Sequence, residues 1–228
     1  MYKKKGTLWG GNNLRNVGRR KNSKIKNIIL SYIKNNLKEY TIITIIFLIG
    51  LIFGIIFINN AGQTQIDEIT SYINDFVNSL KNNIEIDKAG LLKDTLISNF
   101  VLALGLWFVG STVIGIPIVY GIIAYRGFCL GYTISSSIAT LGTGSGILFT
   151  ITSLLLQNIL FIPCILGLAV SGIKLYKSIV KDKRKETIKL EITRHTIFCV
   201  FILLVLELSA FLEVYGSTNL LQICAKYL

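Results

Sequence analysis

The chain has 228 residues and a formal net charge of +12, yet only 16% of its residues are charged and 52% are hydrophobic. A soluble domain carries about 25% charged residues, so this composition argues against a soluble enzyme. Net charge alternates along the chain: it is +10 for residues 1–40, −3 for residues 59–95 and +5 for residues 174–195. The positive-inside rule predicts this alternation for a membrane protein, and it argues against a nucleic-acid partner.

The first apolar segment, residues 41–58, contains 18 residues without a charge. Such a helix nearly crosses the roughly 30 Å hydrocarbon core, and the basic arm 1–40 predicts a cytoplasmic amino terminus in contact with anionic membrane lipid. Residues 23–40 show helical spacing, which fits either an amphipathic helix on the inner leaflet or an extension of the first span. Gly50 and Gly54 have the spacing that lets another helix approach closely.

The external segment 59–95 also shows helical spacing, and Thr64 with Asp67 three residues later could cap that helix. Two interpretations are open: the helix lies on the bundle or on the outer lipid surface, or it docks an extracytoplasmic partner. In the second case its apolar residues are the candidate docking residues, namely Ile66, Ile69, Ile73 and Phe76.

Residues 96–125 contain no charge and are too long for one span. Either one long, kinked span reaches the cytoplasm near Arg126, or one span ends near Gly110–Gly115 and the next begins at Pro117. The turn residues favour the second interpretation. A Gly-rich turn, Gly142–Gly146, follows outside the membrane.

The sequence therefore predicts an all-α polytopic membrane bundle of five spans, with the amino terminus inside and the carboxyl terminus outside. A basic cytoplasmic loop, 174–195, and an external tail, 216–228, complete this arrangement. The predicted spans are residues 41–58, 96–114, 116–140, 147–173 and 196–215.

Charged residues within a span usually face the bundle interior or a water-filled cavity. Arg126 lies within the third predicted span, unless the other interpretation places it at the cytoplasmic interface. Glu207, in the middle of the last span, is its natural ion-pair partner, and Glu213 lies near the outer end of that span. An ion pair with a structural role and a transport or gating role are both open.

Gln157 and Asn158 lie in the fourth predicted span, where amides usually hydrogen-bond a neighbouring helix, although a ligand role is also open. We find no catalytic motif and no metal-ligand or zinc spacing, and none of the four cysteines forms a CxxC pair. We therefore expect no enzyme activity, no cofactor and no metal site. A transporter or permease subunit is the competing functional class.

Several short sequence features, taken together and in their order along the chain, resemble those of a known family. A basic arm leads into the first span, an external helical loop follows, and then come Gly115-Ile116-Pro117 and Tyr125-Arg126-Gly127-Phe128 with Gly131. The last span carries an acid. This layout resembles the stage II sporulation protein M family over nearly the whole chain.

The resemblance implies a non-enzymatic integral membrane protein needed for engulfment of the forespore, located in the septal and engulfing membrane of the mother cell. Its implied partners are the stage II D and P peptidoglycan hydrolases, which it localises or scaffolds. Their single anchors could pack against the spans at Gly50/Gly54 and Gly127/Gly131. Whether the chain also forms a homo-oligomer is open.

Overall fold

The computed structural model describes residues 31, 33–82, 87–112, 115–181 and 185–224, which form helices and no strand. The predicted all-α class is therefore confirmed. A π-helical segment, Leu212–Ser217, joins the last two helices. The α-helices are α1 Leu37–Asn59, α2 Gln63–Lys81, α3 Lys88–Gly110, α4 Gly115–Leu141, α5 Thr143–Lys181, α6 Lys185–Phe211 and α7 Thr218–Cys224.

Five segments are long and apolar enough to cross a membrane, as predicted. They are residues 37–59, 88–110, 115–141, 157–180 and 188–224. Large apolar side chains stand exposed along α1 and α6, among them Ile52, Phe53, Phe201 and Leu204. Such continuous exposed apolar surface marks a membrane-facing belt.

Several helices extend beyond the charge-free segments that the sequence analysis used as spans. Helix α3 begins at Lys88 rather than at residue 96, because the Asp87 side chain accepts a hydrogen bond from the Gly90 amide at 2.9 Å and caps the helix. The predicted loop 174–195 is mostly helical, since α5 continues to Lys181 and α6 begins at Lys185. The helices therefore continue through charged residues beyond the ends of the apolar segments.

Three further expectations were wrong in detail. The turn predicted over Gly142–Gly146 is a single residue, because Gly142 has φ +80° and α5 begins at the next residue. Helix α2 begins after Gly62, so Thr64 does not cap it. The tail predicted over 216–228 is helical as far as Cys224.

Half of the predicted helix 23–40 lies outside the described residues. Within them, residues 33–35 are helical and a turn at Asn36 precedes α1. The predicted break between the second and third spans corresponds to the end of α3 at Gly110 and the start of α4 at Gly115. Pro117 lies in the first turn of α4, where its missing N–H leaves no helical hydrogen bond unmade.

Helices α1 and α4 pack together at their glycines, which alternate along the contact. A Cβ atom added at any of the four glycines would overlap a backbone carbonyl of the opposite helix, so a side chain here would force the helices apart. The overlaps are Gly50 with Ala124, Gly54 with Phe128, Gly127 with Phe47 and Gly131 with Leu51. Because these glycine faces fill each other, they are not free to bind the single anchors of partner proteins.

Helix α5 lies at the centre of the bundle. In an 18-residue apolar stretch of its segment 157–180, 61% of the residues are buried, against 17–33% for the corresponding stretches of the other four segments. Its residues Ile165, Leu168 and Val170 join the largest core cluster, to which α1, α3, α4 and α6 also contribute. Helix α2 covers one end of the bundle, which we call the α2 end. Val77 and Leu80 pack there against α5 and α7.

Replacing Gly50 or Gly127 by alanine should lower the stability of the protein by about 1–3 kcal/mol, because the added methyl group overpacks a backbone contact. Thermal unfolding in detergent would measure the change. Gly121→Ala is the matched control on α4, since an added Cβ there meets no atom within 4 Å. Equal melting temperatures for Gly127→Ala and Gly121→Ala would contradict the packing argument.

Candidate functional site

A cavity of about 400 Å³ lies between the first half of α3, the central parts of α4 and α5 and the π-helical segment. It brings together four of the sequence-predicted polar residues: Arg126, Gln157, Asn158 and Glu213. We call it the polar cavity. Its other polar lining residues come mostly from α3, and they are Asp94, Thr95, Ser98, Asn99 and Thr133. These polar groups come from separate parts of the sequence, so only the tertiary structure assembles them.

Arg126 lies near the middle of α4 and not at a helix end. Its guanidinium carbon is 5.2 Å from the centre of the Phe161 ring on α5, within the range of a cation–π contact. The predicted ion pair with Glu207 does not form. Ion pairs that do form join Lys177 to Glu39 and Arg194 to Glu191. The charge of Arg126 is thus directed to the polar cavity and to an aromatic face.

The two intramembrane glutamates occupy different surroundings. Glu213 belongs to the π-helical segment and lines the polar cavity, whereas Glu207 lies on α6 and lines none of the cavities described here. Both have one buried carboxylate oxygen, Oε2, without a hydrogen-bond partner in the protein. π-Helical turns are rare and often occur at functional sites, and here the turn carries the acid that faces Arg126's cavity.

The amide that bridges two helices is not one of the two that the sequence predicted. Asn158 donates to the Leu154 carbonyl of its own helix at 2.8 Å, so it does not bridge to a neighbouring helix as predicted. The bridging amide is Asn99, which is buried and donates to the Leu206 carbonyl of α6 at 3.0 Å. Asn99 was not among the residues predicted from the sequence. Its position in a charge-free segment was the available signal, because a buried amide in a span needs a partner.

A second cavity, of about 750 Å³, lies beneath α2. Its lining is mainly apolar, and we call it the apolar cavity. Three of the predicted docking residues, Ile69, Ile73 and Phe76, line it, and Ile66 is half-buried on the same helix. Phe76 also makes an edge-to-face contact with Phe149 of α5, with ring centres 6.2 Å apart. The apolar side of α2 therefore faces the bundle and not a partner.

A polar network at the opposite end of the bundle was not predicted. His195 is buried, and its Nδ1 lies 2.8 Å from the Ser171 hydroxyl of α5. Beside it, Gly110 and Gly172 let α3 and α5 approach closely, since a Cβ at either glycine would crowd the other. Trp107 donates from its indole to Thr196 at 3.1 Å. These contacts tie α3, α5 and α6 together at this end.

None of the described residues form a cluster of three or more His, Cys, Asp or Glu side chains that could hold a metal ion. The four cysteines are free thiols. The polar groups of the cavity are suited to hydrogen bonding and charge pairing.

The fold and the site together define a multi-pass α-helical membrane protein with a polar cavity between its helices. Residues 43–218 match the family model described as stage II sporulation protein M. The chain belongs to this family, and is thus a sporulation-related membrane protein. No curated protein and no solved structure matches the chain.

Replacing Asn99 by alanine should destabilise the bundle by about 0.6–2 kcal/mol, because the hydrogen bond to the Leu206 carbonyl is lost within the membrane. Ser98→Ala is the matched control, since Ser98 is the neighbouring residue, is exposed and lines the same cavity. Thermal unfolding in detergent would compare them. If both variants had the melting temperature of the parent protein, the hydrogen bond of Asn99 would not contribute to stability.

Proposed function

We propose that the protein is a non-enzymatic membrane scaffold that localises peptidoglycan hydrolases, the stage II D and P proteins, during engulfment of the forespore. Membership of the stage II sporulation protein M family supports this, since that family is not known as an enzyme family. In this proposal the protein resides in the septal and engulfing membrane of the mother cell.

The proposed orientation places the amino terminus in the cytoplasm and the α2 end outside. Acidic residues cluster at the α2 end, among them Asp67 and Asp75, whereas Lys174, Lys177 and Lys189 lie at the opposite end. The positive-inside rule assigns the basic end to the cytoplasm. Hydrolases that act on the wall would then meet α2.

Cysteine labelling in intact cells tests this orientation. In a background with the four native cysteines replaced by alanine, Tyr72→Cys on α2 should react with a membrane-impermeant maleimide, because Tyr72 is 76% exposed at the proposed outer face. Lys189→Cys, exposed at the opposite end, should react only after the cells are permeabilised. The reverse labelling pattern would show that the orientation is opposite to the one proposed.

The polar side of α2 is the observation that carries the docking proposal. Because the apolar side of α2 covers the apolar cavity, the residues left outward are polar and acidic. They include Asp67, Ser71, Asn74, Asp75 and Asn78, all exposed. This corrects the expectation that Ile66, Ile69, Ile73 and Phe76 contact the partner. A charged surface of this kind chooses its partner by electrostatic complementarity.

The double substitution Asp67→Lys and Asp75→Lys should reduce hydrolase recovery several-fold when the tagged protein is purified from sporulating cells, because it reverses the charge of the docking side. Membrane insertion and melting temperature should not change, since both residues are exposed. Lys93→Glu is the control, as an exposed charge reversal at the start of α3 at the same end. Undiminished recovery of the hydrolases from the double variant would refute docking through α2.

A transporter or permease subunit is the second candidate. The polar cavity favours it, because Arg126 and Glu213 are the kind of intramembrane groups that line substrate paths. The same purification separates the candidates: recovery of an ATPase or a soluble substrate-binding protein, in place of hydrolases, would support transport.

A further inference from the structure

The polar cavity and the apolar cavity adjoin. Three residues, Thr133, Leu154 and Glu213, line both of them. Glu213 therefore stands at the boundary between a charged compartment and an apolar one. A ligand that filled both compartments would need a polar head and an apolar tail.

Two buried polar groups along this boundary lack partners in the protein. The Ser217 hydroxyl, on a residue only 3% exposed, lines the apolar cavity and makes no hydrogen bond. The Glu213 Oε2 atom is likewise buried and unbonded. Buried polar groups are normally satisfied, because an unmet one costs free energy. These two groups thus point to a ligand with a hydrogen-bond donor near Glu213 and an acceptor near Ser217.

The charges of the polar cavity specify the head group further. Asp94 and Glu213 are acidic and Arg126 is basic. A purely anionic head would meet Arg126 but would be repelled by two carboxylates, whereas a purely cationic head would meet the carboxylates but would be repelled by Arg126. A head with one ammonium and one phosphate matches both signs, since a guanidinium suits phosphate and a carboxylate accepts from N–H.

We propose that the two cavities form one binding site for a zwitterionic lipid, with a phosphate on Arg126, a primary ammonium on Glu213 and Asp94, and an acyl chain beneath α2. The chain would lie against Ile69, Ile73 and Phe149. The lipid ester groups offer acceptors to Ser217. Phosphatidylethanolamine has this chemistry. The proposal is independent of hydrolase docking, which concerns the opposite side of α2.

Native mass spectrometry of the full-length protein in detergent tests the site with lipids of identical acyl chains. Phosphatidylethanolamine should be retained preferentially. Phosphatidylcholine lacks the N–H donors and phosphatidylglycerol lacks the cation, so both should be retained about tenfold less, the effect of one lost charge-assisted hydrogen bond. Equal retention of the three lipids would overturn the proposal.

Two variants and a matched control locate the bound lipid. Glu213→Gln and Arg126→Gln should each reduce retained phosphatidylethanolamine by about tenfold. Glu207→Gln should leave retention unchanged, because Glu207 has an equally unpartnered oxygen in the same span but lines neither cavity. Melting temperatures of the variants would show that they are folded. Equal lipid loss in all three, or in none, would place the lipid elsewhere.

A competition experiment distinguishes a lipid site from a site for a soluble head group. Free phosphoethanolamine carries the same charges without the acyl chain. It should compete with the lipid only at far higher concentration, because the apolar cavity contributes nothing to its binding. Competition at the same concentration as the lipid would overturn the lipid assignment.

Discussion

The contact between the glycines of α1 and α4 is the constraint on which the rest of the structure depends. It fixes the direction of the α4 side chains: with Gly127 and Gly131 against α1, helical geometry rotates Arg126 and Leu130 by about 100° toward α3 and α5. A side chain at Gly127 or Gly131 would separate α1 from α4, and Arg126 and Leu130 would then no longer be directed toward α3 and α5. Close packing of small residues in membranes thus also positions the only charge in the middle of α4.

The polar groups inside the bundle follow from the same requirement for satisfied hydrogen bonds. Asn99 bridges to the α6 backbone, and Ser171 meets His195 at the opposite end. Two of the buried polar atoms without a hydrogen-bond partner among the described residues, on Glu213 and Ser217, belong to the π-helical segment. An irregular turn in a membrane helix is tolerated where it lines a cavity, and this one lines two.

Helix α2 has a different role on each side. Its apolar side closes the larger cavity, and its polar side presents acidic groups outward. A partner that binds the outward side therefore need not disturb the cavity beneath, and a lipid in the cavity could support α2 from below. The proposed partners of the outward side follow from membership of a sporulation membrane family. The proposed lipid site is instead inferred from the residues that line the two cavities.

The sequence by itself determined the class: charge-free segments of membrane length, alternating loop charge and spaced glycines specified five helical spans, because each is a local property of the chain. It also singled out Arg126, Gln157 and Glu213 as polar candidates within the spans, and the tertiary structure brings them to one cavity. The sequence predicted an ion pair between Arg126 and Glu207 that does not form, and it assigned the apolar side of α2 to a partner. Only the tertiary structure decided these points, because the π-helical turn, the packing of α2 and the choice of Asn99 as the bridging amide depend on contacts between helices far apart in sequence.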